Sequence, residues 1–344
     1  MELMILKVLV AIAPVLIFLV VFTLLDAFKL MSRAEVLLLL TAGGVLAGLC
    51  YVLNGGVLDA LPIGRSSYSR YGAPLMEEGM KEALVLLLFW RNRIGYTIDA
   101  AIVGFAIGAG FSVVENGYYL YFNQTASVGV WLVRGFGTAV MHGGATAIFA
   151  AWSQYLMESR LKRREQDFRV NPLIFLPGYA SAVVLHSAFN HMPDAPLIAM
   201  TVTLMVVPLT LFAIFSRSER SANRWLVSDF QTHETMLADI RSGQFAQRHR
   251  ISERFRGERL TQVMEYIELH MDLVVRAEAV LMAHRNGDEV VIGPAVRAQF
   301  DRLYALQKSL GRSVVIALRP YLSFSRNDLW ELRELEEDAR AGRR

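Results

Sequence analysis

Apolar residues in this chain are gathered into about seven blocks, each long enough to cross a lipid bilayer as a helix. The blocks cover approximately residues 4–25, 34–54, 74–90, 98–122, 134–157, 170–190 and 195–216. The sequence therefore predicts an all-α fold, a polytopic membrane helix bundle of about seven transmembrane helices that occupies residues 1–216.

The first block has the length of a signal peptide but not its flanking features. Lys7 lies inside the apolar run and not before it, and no small-x-small cleavage site follows. We therefore expect this block to remain as a membrane span. Cys50, the only cysteine, lies in the second block, which excludes an intrachain disulfide and a thiolate metal cluster.

Lysine and arginine are concentrated on alternate loops. The loops after the first, third and fifth blocks, with the start of the tail, carry Lys29, Arg33, Arg91, Arg93, Arg160, Lys162, Arg163, Arg164, Arg169, Arg217, Arg220 and Arg224. The other loops carry only Arg65, Arg70 and Arg134. The positive-inside rule then predicts an N-terminus outside and a C-terminus in the cytoplasm. The basic balance of the chain is thus a topology signal, and we do not expect nucleic-acid binding.

Residues 217–344 are rich in both positive and negative charges and contain no stretch long enough to span a membrane. Apolar residues recur at helical spacing from Leu260 to Leu281, and more weakly over 295–310. We predict a small cytoplasmic domain of three to five helices, with breaks near Gly243, Gly257, 286–287 and Gly311. We also predict a frayed end from about Glu334. Packing, partner binding, self-association or control of the membrane part are the roles open to this domain.

The third block is unusual for a membrane span because four ionisable residues stand near its start. They are Glu77, Glu78, Lys81 and Glu82. On a helix, Lys81 lies between Glu77 and Glu78 in azimuth, so one lysine can partly neutralise two acids. A solvated helix end is the simple explanation, and a buried polar site is the alternative.

Polar residues also occur inside the later blocks. Glu115 lies on the same helix face as Gly104 and Gly108, and small residues at fourfold spacing let helices approach closely. Glu115 is therefore predicted to point into the bundle, where an unpaired carboxylate is costly. His142 is followed by two glycines, which leave space beside its imidazole.

The sixth block ends with His186 and Asn190, four residues apart on one helix face. We expect the following residue, His191, to be a solvated end. At a rise of about 1.5 Å per residue, the polar residues of the four helices all lie within about 12 Å of the outer boundary. This agreement in depth predicts one buried polar site.

Two kinds of chemistry suit such a site, and both hydrolyse peptides. Glutamate with imidazole can deprotonate water for attack on a carbonyl group. Alternatively, two histidines and a glutamate can hold Zn²⁺ with an open position for water. The sequence has no Gly-x-Ser-x-Gly and no His-Glu-x-x-His motif, and no thiol accompanies the polar residues.

Four motifs in this order resemble the PrsW intramembrane proteases, relatives of the CAAX-processing endopeptidases. They are EEGMK (77–81), FSVVE (111–115), MHGGAT (141–146) and HSAFN (186–190), and the resemblance covers roughly residues 35–216. It implies a multi-pass endopeptidase that cleaves membrane-anchored protein substrates near the outer membrane face. It also implies an integral membrane location, for which we expect the bacterial inner membrane.

The resemblance also assigns roles to individual residues. Glu77 corresponds to the catalytic glutamate, Glu78 to its adjacent acid, and Lys81 to the basic, substrate-binding partner. His186 with Asn190 corresponds to the oxyanion or ligand pair. Glu115 stands where the CAAX pattern has a histidine, and His142 is expected to supply that imidazole.

The cofactor is unknown from the sequence. We favour a metal-free glutamic mechanism, with zinc as the alternative, because the chain lacks the closely spaced imidazole pair of common zinc proteases. A proton- or ion-coupled transporter would also bury these groups. A transporter would usually show paired repeats and broken helices around its site, and neither feature is recognised in the sequence.

Overall fold

The computed structural model describes residues 2–24, 31–161, 172–288, 290–322 and 324–342. These residues form α-helices with a few π and 3₁₀ turns, and the described ranges contain no strand. The chain divides into two compact units, Met1–Glu219 and Arg220–Arg344.

The first unit consists of membrane-type helices and short connecting turns. Its helices are α1 (Glu2–Leu24), α2 (Arg33–Ala60), α3 (Arg65–Ser67), α4 (Ala73–Trp90), α5 (Thr97–Phe122), α6 (Val128–Val133), α7 (Ala139–Leu161), α8 (Leu176–Asn190) and the first part of α9 (Pro196–Arg241). π-helical turns over Tyr68–Gly72 and Arg134–Thr138 lead directly into α4 and α7. A 3₁₀ turn over Pro172–Ile174 precedes α8.

Five stretches have both the length and the apolar composition of membrane spans. They are Glu2–Leu24, Arg33–Ala60, Thr97–Phe122, Pro172–Asn190 and Pro196–Ser216. The other two predicted spans, 74–90 and 134–157, are also helical but more polar. Their polar residues face other helices, since Glu78, Lys81 and His142 are each at most 1% exposed. The predicted all-α membrane bundle is thus confirmed, and these buried polar side chains of its two most polar helices point into it.

Helix α5 forms the centre of this unit because glycines on two of its faces let neighbouring helices approach closely. A Cβ atom at Gly104 would lie 2.8 Å from Ala147 Cα, and one at Gly108 would lie 2.8 Å from Gly143 Cα. On the opposite side, a Cβ atom at Gly110 would lie 2.6 Å from the carbonyl carbon of Leu40. Helix α5 is therefore packed tightly between α2 and α7, as the fourfold spacing of small residues predicts.

Several residues used in the sequence analysis lie outside the described ranges. They are Lys29 and residues 162–171, which include the basic run Lys162, Arg163, Arg164 and Arg169 and the first two residues of the sixth predicted span. The predicted topology depends largely on them and stays a prediction.

The second unit is a helical bundle with its own apolar core. Besides the end of α9 it contains α10 (Gln244–Arg248), α11 (Ile251–Arg254), α12 (Glu258–Arg285), α13 (Pro294–Leu310), α14 (Arg312–Leu322) and α15 (Arg326–Ala341). The predicted breaks coincide with helix ends at Gly243, Gly257, Asn286 and Gly311. The short helices α10 and α11 raise the number of helices above the predicted three to five, because segments of five and four residues are too short to show periodicity.

The prediction of a frayed end from Glu334 is wrong. Helix α15 continues to Ala341, with Leu335 3% and Ala339 9% exposed. Together with Leu332, these residues place one face of α15 on the core formed by α12 and α13. A capping box of Ser325 and Asp328 starts the helix.

Candidate active site

The acidic motif of α4 forms the centre of a polar cluster inside the first unit. Because α4 starts directly after a π turn, with Pro74 in its first turn, Glu77, Glu78 and Lys81 fall within its first three turns. Glu78 and Lys81 are fully buried, whereas the Glu77 side chain is 16% exposed. The simple explanation of a solvated helix end therefore does not hold for Glu78 and Lys81.

Glu78 joins two basic groups. Its Oε1 atom accepts a hydrogen bond from Lys81 Nζ at 2.7 Å, and it lies 2.7 Å from His186 Nδ1 on α8. Since a carboxylate only accepts, Nδ1 carries the proton of this contact and Nε2 of His186 is left as the second ring nitrogen. Glu78 therefore orients the His186 imidazole.

His142 on α7 lies between a cation and a second carboxylate. Lys81 Nζ is 3.1 Å from His142 Nδ1, and Glu115 Oε2 on α5 is 2.9 Å from His142 Nε2. Because an ammonium group only donates, Nδ1 of His142 accepts and Nε2 carries the proton toward Glu115. Glu115 in turn accepts from Arg134 Nη2 at 3.0 Å. The predicted inward direction of Glu115, and its meeting with His142, are observed.

Glu77 lies at the other end of the cluster, where it contacts α2. Asn54 Nδ2 donates to Glu77 Oε1 at 3.0 Å, and the Tyr68 hydroxyl donates to Asn54 Oδ1 at 2.7 Å. The other oxygen, Oε2, is 3.9 Å from His186 Nε2. This separation is too long for a direct hydrogen bond and suits a bridging water molecule.

Two sequence-based expectations differ from the observed contacts. Lys81 contacts Glu78 and His142, whereas it was expected to lie between Glu77 and Glu78. Asn190 was expected to act together with His186, but its Nδ2 atom donates to the Ser69 carbonyl oxygen at 2.8 Å. Asn190 is the last residue of α8, so its amide reaches the π turn before α4 and not the interior of the bundle.

The cluster contains paired charges and is bordered by aromatic rings. Glu78 pairs with Lys81 and Glu115 with Arg134, so Glu77 and the buried Glu82 are the acids of the cluster without a lysine or arginine partner in these ion pairs. The His142 and His186 rings meet edge to face with centroids 4.7 Å apart. The Phe111 ring lies 5.0 Å from the His142 ring and 4.9 Å from Lys81 Nζ. This apolar border strengthens every electrostatic contact inside the site.

Glu77, His142 and His186 could together hold a metal ion. Each offers one ligand atom, and these atoms lie within 4.8 Å of one another. Two imidazoles and one carboxylate are the donor set of several catalytic zinc sites, so the residues fit zinc in donor type and spacing. The imidazoles come from two different helices. The absence of a His-Glu-x-x-His motif, which would put both imidazoles on one helix, therefore does not exclude zinc. Both ring nitrogens of His142 face Lys81 and Glu115, so an ion bound there would replace one of these contacts.

Three residues that support the cluster were not predicted from the sequence: Asn54, Tyr68 and Arg134. Asn54 is a polar residue within an apolar span, which was a usable signal. Arg134 was interpreted as a loop charge, but it pairs with Glu115, and its Nε atom donates to Asn116 Oδ1 at 2.9 Å. Tyr68 lies on a π turn that no sequence pattern indicated.

Comparison with protein families supplies the observation that decides the identity. The family model of the PrsW family intramembrane metalloproteases matches residues 32–215, which is more than half of the chain. The chain belongs to the PrsW family. As a PrsW protein it is an integral membrane protease, and all the residues of the polar cluster lie within the matched range. Neither a curated protein nor a solved structure matches the chain significantly.

Proposed function

We propose that this PrsW protein cleaves peptide bonds of membrane-anchored proteins near the outer membrane face, with Glu77 as the residue that activates water. The observation that carries the proposal is the contrast between two adjacent acids. Glu78 is fully buried and bound to Lys81 and His186, whereas Glu77 is partly exposed and faces the free side of the same imidazole across 3.9 Å. Of these two adjacent acids, Glu77 is thus the one that can meet water and substrate.

The contacts support a specific division of labour. A water molecule between Glu77 Oε2 and His186 Nε2 can donate one hydrogen to each, which leaves an oxygen lone pair free to attack the substrate carbonyl carbon. As the C–O bond forms, Glu77 takes the proton. It then passes this proton to the amide nitrogen as the C–N bond breaks. Glu78 acts as a positioning residue because it fixes the tautomer of His186.

His142, Glu115 and Lys81 form the opposite wall of the proposed site. The contacts of Lys81 and Arg134 hold His142 and Glu115 in place. Lys81, whose ammonium group is 2.7 Å from Glu78 Oε1, offsets the charge of that carboxylate. Asn190 remains a proposed oxyanion donor, and this role would require its release from Ser69.

Metal dependence follows from the same residues. His142, His186 and Glu77 would hold a zinc ion, which when bound supplies Lewis-acid activation of water. We retain the metal-free mechanism as the proposal because Nδ1 of His142 already contacts Lys81 at 3.1 Å, and Glu115 Oε2 lies 2.9 Å from its Nε2.

We also propose an N-terminus outside and a C-terminus in the cytoplasm of a bacterial inner membrane, which puts the cluster in the outer half of the bilayer. Membership of a protease family favours this function over the transporter alternative.

The catalytic assignment is tested with purified full-length protein in detergent. Substrates are single-span reporter proteins that carry a quenched fluorophore pair across the outer boundary of the span. Glu77→Gln and His186→Ala should each reduce cleavage by about 10²-fold or more. Asp59→Asn, an acid-to-amide change at an exposed residue of α2, is the matched control. Full activity in both site variants on a reporter that the wild type cleaves would refute the assignment.

The metal question needs a separate measurement. We expect most activity to remain after prolonged chelation, and the metal content not to fall when His142 and His186 are replaced. Loss of activity that added zinc restores, together with loss of one bound zinc in His186→Ala, would reassign the protein as a zinc protease.

A further inference from the structure

A second cluster of metal-ligand residues lies in the unit Arg220–Arg344, outside the range that the family model matches. It consists of His233 on α9, Glu278 on α12 and Asp328 on α15. The three residues are 8%, 1% and 1% exposed. Three buried ionisable side chains that meet from three helices are costly unless a partner compensates them.

The distances within this cluster suit an ion. His233 Nδ1 lies 2.8 Å from Glu278 Oε1, and His233 Nε2 lies 3.9 Å from Asp328 Oδ2. One ligand atom from each residue can be chosen so that all three lie within 4.8 Å of one another. Ligands about 2.0–2.1 Å from a tetrahedral zinc ion are about 3.3 Å apart. His233 gives only one of its two ring nitrogens to an ion, so the 2.8 Å and 3.9 Å separations, which involve different nitrogens, are not both distances between ligands. With one ligand atom from each residue, side-chain rotations would have to bring atoms that lie within 4.8 Å of one another to this spacing.

A second observation points independently to a missing partner. The Oε2 atom of Glu278 is buried and has no hydrogen-bond partner within the described ranges. An isolated carboxylate oxygen in a protein interior loses its hydration without replacement. With neutral His233, the two carboxylates carry a charge of −2, which a divalent cation neutralises.

Asp328 is held in position by its helix. As part of the capping box of α15, its Oδ2 atom accepts from the Ser325 backbone N–H at 2.6 Å, and its Oδ1 atom accepts from the Ser325 hydroxyl at 2.8 Å. Metal-ligating carboxylates are commonly oriented by such additional hydrogen bonds. The carboxylate is therefore fixed before an ion arrives.

We propose that His233, Glu278 and Asp328 bind a divalent transition-metal ion, with zinc as the best match. An imidazole ligand favours zinc and its neighbours over magnesium and calcium, which prefer sets of oxygen ligands. The ion joins α9, α12 and α15 and stabilises this unit, because it binds the folded state and not the unfolded chain. This site is independent of the proposed protease chemistry.

The test uses full-length protein without a polyhistidine tag, in a His142→Ala, His186→Ala background that removes the imidazoles of the membrane cluster. The protein is stripped with chelator and dialysed against micromolar Zn²⁺. Bound zinc is measured by elemental analysis and thermal unfolding is followed with and without zinc. We expect about one zinc per chain and a rise in melting temperature of about 5 °C or more.

Two variants and one matched control assign the ion to the cluster. His233→Gln and the nearly isosteric Glu278→Gln should each remove the bound zinc and the zinc-dependent rise in melting temperature. His270→Gln should change neither. His270 is a histidine of the same unit, and its ring contacts are the rings of Tyr266 and Phe324.

Two results would overturn the proposal, and neither depends on how well the variants fold. One is a background protein that binds less than about 0.1 zinc per chain and shows no thermal shift, since the cluster would then be a metal-free ion pair. The other is a full equivalent of zinc retained in Glu278→Gln. Zinc loss confined to His233→Gln and Glu278→Gln would support it.

Discussion

The close approach of α5 and α7 makes Gly108 a sensitive position for the proposed active site. In Gly108→Ala, the new Cβ atom would lie 2.7 Å from the His142 carbonyl carbon and 2.8 Å from Gly143 Cα, whereas ordinary contact begins at 3.4 Å. The His142 carbonyl oxygen would lie closer than either of these atoms, so the two helices must separate by about 1 Å at the residue that carries the His142 imidazole. Both neighbours are backbone atoms, so no side-chain rotation can relieve the overlap.

Two effects of different size should follow from this separation. Overpacking of this kind costs about 1–3 kcal/mol of stability. A displacement approaching 1 Å within a catalytic constellation costs about 10²-fold in rate. We therefore expect a moderate fall in melting temperature and a reduction of kcat/KM on the reporter substrates by about one to two orders of magnitude.

Gly117→Ala is the matched control because it makes the same change on the same helix, where an added Cβ atom has no neighbour within 4 Å. Both variants gain the same helix propensity of about 1 kcal/mol. The difference between them therefore isolates the helix contact. Equal melting temperatures and equal reporter cleavage in the two variants would show that α5 and α7 do not pack as described.

Three further predictions concern other parts of the chain. Asn54→Leu removes the hydrogen bond that orients Glu77, so kcat should fall by about 10-fold with little change in KM, and an unchanged kcat would contradict this positioning role. Burial lowers the pKa of His270 to about 4 in the folded protein. Below pH 6.5 the unfolded chain therefore binds more protons than the folded chain, and the free energy of unfolding decreases by at most about 3 kcal/mol as the pH is lowered. His270→Phe should flatten the melting temperature between pH 6.5 and 4, and an equally steep curve would show that His270 does not titrate this way. In intact cells an impermeant thiol reagent should label Ser66→Cys but not Lys162→Cys, and the reverse pattern would overturn the topology.

The sequence predicted those features of the fold that depend on one helix at a time. Apolar blocks located the membrane helices, and the face shared by Gly104, Gly108 and Glu115 predicted both the close packing of α5 and the inward direction of its carboxylate. Face and depth predicted that Glu115 and His142 belong to one site, and the family resemblance implied the link between the two residues. These properties arise from a helical period that can be counted along the chain.

Contacts that depend on two elements were harder to predict. Asn190 shares a helix face with His186, yet its amide donates to Ser69 because the π turn before α4 passes the end of α8. Arg134 resembles a loop charge in the sequence, but a π turn places it beside Glu115. Hydrophobic periodicity contains no information about either π turn, and it therefore could not predict these partners.

Two helices of the proposed site, α4 with Glu77 and α7 with His142, directly follow a five-residue π turn. A π turn is equivalent to one extra residue inserted into an α-helix, and each residue of an α-helix turns the chain by about 100°. The side chains that follow each insertion are thus rotated by about a quarter turn from the directions that they would have in an uninterrupted α-helix. The number of residues in Tyr68–Gly72 and in Arg134–Thr138 consequently determines the helix faces on which Glu77 and His142 lie. A relative that lacks one residue in either turn would direct the same motif toward a different neighbouring helix.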